Sequence, residues 1–169
     1  LSLVGLVILL AGSPVKIGYD IGDTAMDFKL KNVDGKFGSL ADYKEAKGFI
    51  IIFDCNTCPY SKAYNGRIVA LSKMYSKDFP LIAINANSSE ESQGDSYDDM
   101  VKYAKKNGYD FPYLIDETQE IARAYGATNT PHVFVLNKSQ TGLKVAYIGT
   151  IDDSPRKAAS VTKRYVEAA

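Results

Sequence analysis

The chain has few of the residues that build metal centres and disulfide frameworks. Its 169 residues include two cysteines and one histidine. Two cysteines form at most one disulfide, which excludes a small secreted scaffold held together by several. A metal ion would find only two thiolates and one imidazole, and a lone histidine is more often structural, so no metal site is predicted.

An excess of charge of either sign is also missing. There are 20 basic and 20 acidic residues, and the basic ones do not cluster. This excludes the electrostatic surface that nucleic-acid binding requires. The length and the 46% hydrophobic content fit one globular domain, which we place at residues 14–169.

The chain begins with an uncharged apolar segment. Residues 1–11 read LSLVGLVILLA and are followed by Gly-Ser-Pro, a pattern typical of the apolar core of a secretory signal and too short to span a bilayer. We interpret residues 1–13 as the remnant of a signal peptide or as an anchor, the alternative being a buried first strand or helix. The interpretation predicts an extracytoplasmic, periplasmic protein, with membrane anchoring through residues 1–11 only.

Strand and helix patterns then alternate along the chain. A hairpin with a turn at Asp34-Gly35 comes first, and a buried strand, GFIIIFD, follows. Ser96 and Asp99 form a capping box at one helix start, and Gly108 is a left-handed residue at its end. After the hairpin the predicted order is β-α-β-α-β-α-β-β-α, with helices at 59–77, 96–107, 116–125 and 154–169. This order predicts a mixed sheet with helices on both faces.

The two cysteines fall where the buried strand ends and the first long helix begins. Unpaired N–H groups and the helix dipole at that point favour the thiolate of Cys55. Pro59 is compatible with the first turn of the helix, and Lys62 would add a positive charge near Cys58. Asp54 has the opposite effect on the thiolate.

The segment Cys55-Asn56-Thr57-Cys58-Pro59, placed after an apolar strand and before a helix, resembles the thioredoxin superfamily. It is most similar to the redoxin or TlpA-like branch, which is related to AhpC/TSA proteins, and the resemblance covers residues 21–149. It implies an α/β, thioredoxin-like fold with a central mixed β-sheet, flanking helices and an added N-terminal β-hairpin. Thr130-Pro131 stands where this superfamily has a cis-proline loop facing the cysteines. An ordinary trans-proline that opens an edge strand is the alternative.

The resemblance implies a thiol-disulfide oxidoreductase acting on protein disulfides or dithiols, with an unidentified electron donor. We expect Cys55, exposed, to attack a substrate disulfide and Cys58, buried one turn along, to resolve the mixed disulfide. Thr130 and Pro131 are expected to bind the substrate. The redox-active disulfide Cys55–Cys58 is the only redox group required, so no cofactor is predicted. Asn56, Thr57, Pro59 and Lys62 are expected to tune the thiolate, and the absence of a histidine between the cysteines favours a reductase.

Three alternatives stay open. A peroxiredoxin-like peroxidase needs a threonine three residues before its reactive cysteine, where this chain has Ile52 or Cys55, although Arg67 or Arg123 could supply the required arginine. Copper-delivering relatives use a pair of cysteines one residue further apart plus a distant histidine, for which His132 is the only candidate. A purely structural disulfide is disfavoured because so short a loop removes little chain entropy.

The segment NANSSEESQGDSYDD is acidic and polar. Its carboxylates, among them Glu90, Glu91 and Asp95, match no calcium-loop spacing. We interpret it as a solvated loop that follows a central strand and borders the face that carries the cysteines.

Overall fold

The computed structural model describes residues 17–87 and 92–169. The interpretation of residues 1–13 and the predicted exposure of Glu90 and Glu91 fall outside these ranges and stay predictions. None of the described helices is long and apolar enough to cross a membrane.

The described part of the chain forms one eight-stranded mixed sheet. β4 is parallel to β5 and β5 to β6, whereas β7 is antiparallel to β4 and β8 to β7. The spatial order is β1-β8-β7-β4-β5-β6-β2-β3. The strands are β1 (Thr24–Ala25), β2 (Leu30–Asn32), β3 (Phe37–Gly38), β4 (Gly48–Phe53), β5 (Leu81–Asn85), β6 (Tyr113–Ile115), β7 (His132–Ser139) and β8 (Gly142–Gly149).

Helices cover both faces of this sheet, as predicted. The α-helices are α1 (Pro59–Tyr75), α2 (Tyr97–Asn107), α3 (Glu120–Tyr125) and α4 (Tyr165–Ala168), and 3-10 turns lie at Leu40–Asp42 and Ala158–Ser160. In β4, Ile50 and Ile52 pack with α1 and α2, while Ile51 and Phe53 pack with α3 on the other face. Since all six residues of β4 are buried, this strand lies at the centre of the core. One residue, Asp54, separates its end from Cys55.

Most of the predicted local signals are confirmed. β2 and β3 form the N-terminal hairpin, with Gly35 at a φ of 85° in its turn. The Ser96 hydroxyl accepts a hydrogen bond from the Asp99 N–H at 3.2 Å, and Gly108 ends α2 with a φ of 68°. The third predicted helix begins later than expected, at Glu120 rather than at residue 116. Asp116 accepts from the Ala122 N–H at 2.8 Å, but Gln119 makes no side-chain cap.

The predicted final helix is wrong. Residues 154–169 contain one 3-10 turn and the four-residue α4. The Asp153 carboxylate accepts from the backbone N–H groups of Thr162 and Lys163 at 2.9 and 3.0 Å, and the Val166 N–H donates to the Ile151 carbonyl. These bonds fold the segment back on itself and compete with the helix, and they place Val166 in the core.

Candidate active site

The two thiols sit together where β4 passes into α1. The Asp54 N–H still pairs with the Ile84 carbonyl at 2.8 Å, and Cys55 follows it. Cys58 is the N-cap of α1, and its N–H donates to Cys55 Sγ at 3.2 Å. Both cysteines are free thiols. The sequence therefore located the pair correctly at the strand-to-helix junction.

The predicted exposure of the two cysteines is reversed in the structure. Cys55 retains 2% of its accessible surface, whereas Cys58 is partly exposed. The strand-end position of Cys55 explains this, because the residues on both sides of it, Asp54 and Asn56, are also buried. Cys58 instead stands at the helix N-terminus, next to the exposed residues Pro59 and Tyr60.

The Thr130-Pro131 loop lies directly against both sulfurs. The Thr130 hydroxyl is 3.1 Å from Cys55 Sγ, and the Thr130 carbonyl accepts a hydrogen bond from the Cys58 thiol at 3.3 Å. The Thr130-Pro131 bond is cis. The prediction that this loop faces the cysteines is confirmed. Beside Tyr60, Thr130 and Pro131 the surface opens into a cavity of about 450 Å³.

The surroundings shift the pKa values of the two thiols in opposite directions. Burial raises the pKa of Cys55, and hydrogen bonds from Thr130 and from the Cys58 N–H only partly offset it. Partial burial also acts to raise the pKa of Cys58, but the Ser61 N–H, the Thr130 side chain and the Tyr60 N–H outweigh it, so this pKa is lowered. The thiolate is therefore more accessible at Cys58, contrary to the expectation for Cys55.

Asp95 fixes the two residues between the cysteines. Its carboxylate accepts from the Asn56 N–H and from the Thr57 hydroxyl, both at 2.7 Å, and from the side chains of Asn85, Asn87 and Ser92. Burial opposes its ionisation, yet these donors lower the pKa of Asp95. Asp95 is completely buried, so the interpretation of this residue as part of a solvated loop is wrong. No local pattern could reveal it, because Asp95 lies 39 positions from Asn56 in the sequence.

The loop that carries Asp95 also closes over Asn56. The Asn56 side chain donates to the Gly94 carbonyl at 2.8 Å and accepts from the Tyr113 hydroxyl at 2.9 Å. Gly94 has a φ of 93°, and a Cβ on it would lie 3.0 Å from the Thr57 methyl group. Glycine permits both the backbone angle and this close approach.

Asp54 is a second buried carboxyl group beside the thiols. One of its oxygens accepts from the Tyr109 hydroxyl at 3.1 Å, and the other, Oδ1, has no hydrogen-bond partner among the described residues. Burial raises the pKa of Asp54 to about 6, against the opposing effect of the nearby Ser61 and Tyr109 hydroxyls. The position of Asp54 in the sequence, between the apolar strand and Cys55, indicated that it lies near the site. It did not indicate that Asp54 is completely buried.

The remaining predicted tuning residues lie on the helix surface. Pro59 occupies the first turn of α1, as predicted. Lys62 is exposed, and neither a hydrogen bond nor an ion pair joins its ammonium group to Cys55 or Cys58. Its effect on the thiols stays a prediction.

The residues needed by the alternative functions are engaged elsewhere. Arg67 forms an ion pair with the buried Asp152 at 2.6 Å, and Arg123 donates to the Thr118 carbonyl. His132 packs against Phe134 at 4.9 Å between ring centres, and its ring accepts a long hydrogen bond from the Thr128 N–H. Within residues 17–87 and 92–169, no cluster of three or more histidine, cysteine or acidic side chains could hold a metal ion.

A family model described as the AhpC/TSA family matches residues 21–148. The chain belongs to the AhpC/TSA family. The match spans the sheet, α1 and both cysteines, and it ends just before the C-terminal segment that departs from the predicted helix.

The chain is also similar to individual proteins and solved structures. It is 26% identical over 127 residues to the "Thiol-disulfide oxidoreductase ResA" of Geobacillus thermodenitrificans, covering 73% of this chain and 67% of that protein. An "uncharacterized conserved protein" from Geobacillus kaustophilus is 39% identical, with a TM-score of 0.81 over 94% of this chain and 85% of the other. A "putative Thiol:disulfide interchange protein DsbE" from Chlorobium tepidum shares the fold alone, at 22% identity, a TM-score of 0.63 and coverage of 78% and 85%.

These similarities confirm the resemblance to the redoxin branch of the thioredoxin superfamily and the thioredoxin-like fold. The N-terminal hairpin and the order of strands and helices agree with that fold.

Proposed function

We propose that this protein is a thioredoxin-like thiol-disulfide oxidoreductase that reduces or exchanges disulfides in protein substrates through Cys55 and Cys58. The observation that carries the proposal is the placement of two free thiols at one strand-to-helix junction, where the Cys58 N–H reaches Cys55 Sγ at 3.2 Å. The name of the ResA relative supports the same reaction class. The redox group is the Cys55–Cys58 disulfide itself, so no other cofactor is required.

The reaction uses the pair in two exchange steps. A thiolate of one cysteine attacks a sulfur of the substrate disulfide, which forms a mixed disulfide and releases one substrate thiolate. The second cysteine loses its proton and attacks the enzyme sulfur of the mixed disulfide. The products are the Cys55–Cys58 disulfide and a second substrate thiol, so two electrons and two protons pass to the substrate. An external dithiol donor restores the enzyme.

The Thr130-Pro131 loop is the proposed substrate-binding element. The Thr130 N–H has no hydrogen-bond partner among the described residues, and proline contributes no N–H. An extended substrate segment can therefore pair with the Thr130 backbone beside both sulfurs. The neighbouring cavity of about 450 Å³, which is lined by Tyr60, Pro131 and Tyr165 among others, would receive the adjacent substrate side chains.

The proposed location is extracytoplasmic and periplasmic. It rests on the uncharged segment at residues 1–11, interpreted as a signal-peptide remnant or anchor. The proposed partners are protein disulfides or dithiols and an unidentified dithiol donor.

The test is catalysed reduction of insulin disulfides with dithiothreitol as donor. The wild type should accelerate the reaction, while the double variant Cys55→Ser/Cys58→Ser should not. Consumption of hydrogen peroxide is measured in parallel. Rapid, saturable peroxide turnover without insulin reduction would contradict the proposal and favour a peroxidase.

A further inference from the structure

The unequal burial of the two thiols bears on which of them meets the substrate. Cys55 retains 2% of its surface, and three polar groups contact its sulfur: the Thr130 hydroxyl at 3.1 Å, the Cys58 N–H at 3.2 Å and the Ser61 hydroxyl at 3.9 Å. Disulfide exchange requires the attacking sulfur to approach the substrate disulfide directly. A protein disulfide has no such approach to Cys55 in this structure.

The segment directly after Cys55 is fixed by buried contacts. Asn56 binds the Gly94 carbonyl and the Tyr113 hydroxyl, and its N–H donates to Asp95, which is itself completely buried. Moving this segment to expose Cys55 would break these bonds and leave several buried polar groups without partners. The segment is therefore part of the folded core.

Cys58 has the opposite surroundings. It is partly exposed, it precedes the exposed residues Pro59 and Tyr60, and its thiol donates to the Thr130 carbonyl, 3.3 Å away. Thr130 also lines the cavity beside Tyr60 and Pro131. The backbone N–H groups at the start of α1 stabilise a thiolate at this position, and they lower the pKa of Cys58.

We propose that Cys58 is the thiol that attacks the substrate disulfide and that Cys55 is the resolving thiol. The assignment rests on the proposed function and reverses the roles expected from the sequence. Cys58 forms the mixed disulfide and releases one substrate thiolate, which takes up a proton. Cys55 then loses its proton to water or to a neighbouring base and attacks Cys58 Sγ. The Cys55–Cys58 disulfide forms, and the second substrate thiol leaves.

Single-cysteine variants test the assignment. Reduced Cys55→Ser and Cys58→Ser proteins are mixed with insulin, and the mixed disulfides are quantified by non-reducing electrophoresis and mass spectrometry. Cys55→Ser, which retains Cys58, should trap insulin at least tenfold faster than Cys58→Ser. Faster trapping by Cys58→Ser, or equal trapping by both, would overturn the assignment.

The assignment can also be tested in the wild type, where no substitution can disturb folding. Reduced wild type is treated with limiting iodoacetamide, and peptide mapping identifies the cysteine that is modified first. Modification of Cys58 at least tenfold ahead of Cys55 supports the assignment, and the reverse order overturns it.

The variant Asn56→Ala tests whether the fixed segment after Cys55 keeps Cys55 buried. In the Cys58→Ser background it should accelerate alkylation of Cys55, whereas in the Cys55→Ser background it should leave alkylation of Cys58 within about twofold. Equal effects on both would overturn the role given to this segment. Wild-type turnover of insulin distinguishes failure of the assignment from failure of the proposed function. If the wild type reduces insulin while Cys58→Ser traps the substrate, the proposed function stands and the assignment fails. If the wild type does not reduce insulin, the proposed function itself fails.

Discussion

Asp54 lies in surroundings that oppose its charge. It is completely buried next to Cys55, and its Oδ1 has no hydrogen-bond partner among the described residues. An ionised carboxylate in such a place is costly, so burial raises its pKa to about 6. Near neutral pH this residue carries a buried charge that works against folding.

The first consequence is a defined pH dependence of stability. The native state holds the Asp54 proton up to about pH 6, while the unfolded chain releases it near 3.8. Between these values the native state binds more protons, so the contribution of Asp54 to the free energy of unfolding falls as pH rises. One pKa unit corresponds to about 1.4 kcal/mol, which gives a total near 3 kcal/mol.

The variant Asp54→Asn removes this titration. Relative to wild type, its free energy of unfolding should increase by about 2 kcal/mol between pH 4 and pH 7, which is the part of the total that titrates in this range, measured by urea denaturation at each pH. Asp98→Asn, a change at an exposed carboxylate, is the matched control and should show no such trend. A parallel course of Asp54→Asn and wild type across this range would contradict the burial of the charge.

At the scale of elements, residues 92–95, in the loop that precedes α2, hold the segment before α1 in place. Asp95, at the end of this loop, accepts hydrogen bonds from Asn56 and Thr57 between the cysteines and from Asn85 at the end of β5. One carboxylate thus joins the end of β5 to the segment between the thiols. The loop is a structural part of the site, and its acidic composition conceals this.

Asp95→Ala should therefore destabilise the protein strongly. The substitution leaves the buried donors of Asn56 and Asn85 without an acceptor, and each such loss costs about 1–3 kcal/mol. We expect the free energy of unfolding at pH 7 to fall by about 3 kcal/mol or more, while Asp98→Ala should change it by about 0.5 kcal/mol or less. Denaturant titration measures both. A loss for Asp95→Ala no larger than that of the control would show that the loop does not hold the site.

At the scale of the whole molecule, periodic and local signals allowed most of the fold to be predicted. The apolar run of β4, the capping box at Ser96 and the left-handed Gly108 depend on neighbouring residues, and all three are confirmed. The C-terminal segment was predicted wrongly because its conformation depends on Asp153, which binds Thr162 and Lys163 about ten positions away. Helical composition alone carried no information about those bonds.

The site shows the same division between local and distant causes. The positions of Cys55, Cys58 and the Thr130-Pro131 loop follow from motif and spacing. The burial of Cys55 does not, because its neighbour Asn56 is held by Asp95, 39 positions further along the chain. The location of the thiols was therefore predictable from the sequence, and their relative exposure was not.

The measurement that tests the central claim most directly is a redox titration of the whole protein. Wild type is equilibrated with glutathione buffers of increasing oxidised fraction, and its free thiols are counted by alkylation and mass spectrometry. If Cys55 and Cys58 form one redox pair, both thiols should disappear together in a single two-electron transition, with a tenfold change in the oxidised-to-reduced ratio for every ~30 mV. Loss of only one thiol as a stable glutathione adduct, or two thiols retained under strongly oxidising buffers, would contradict the account.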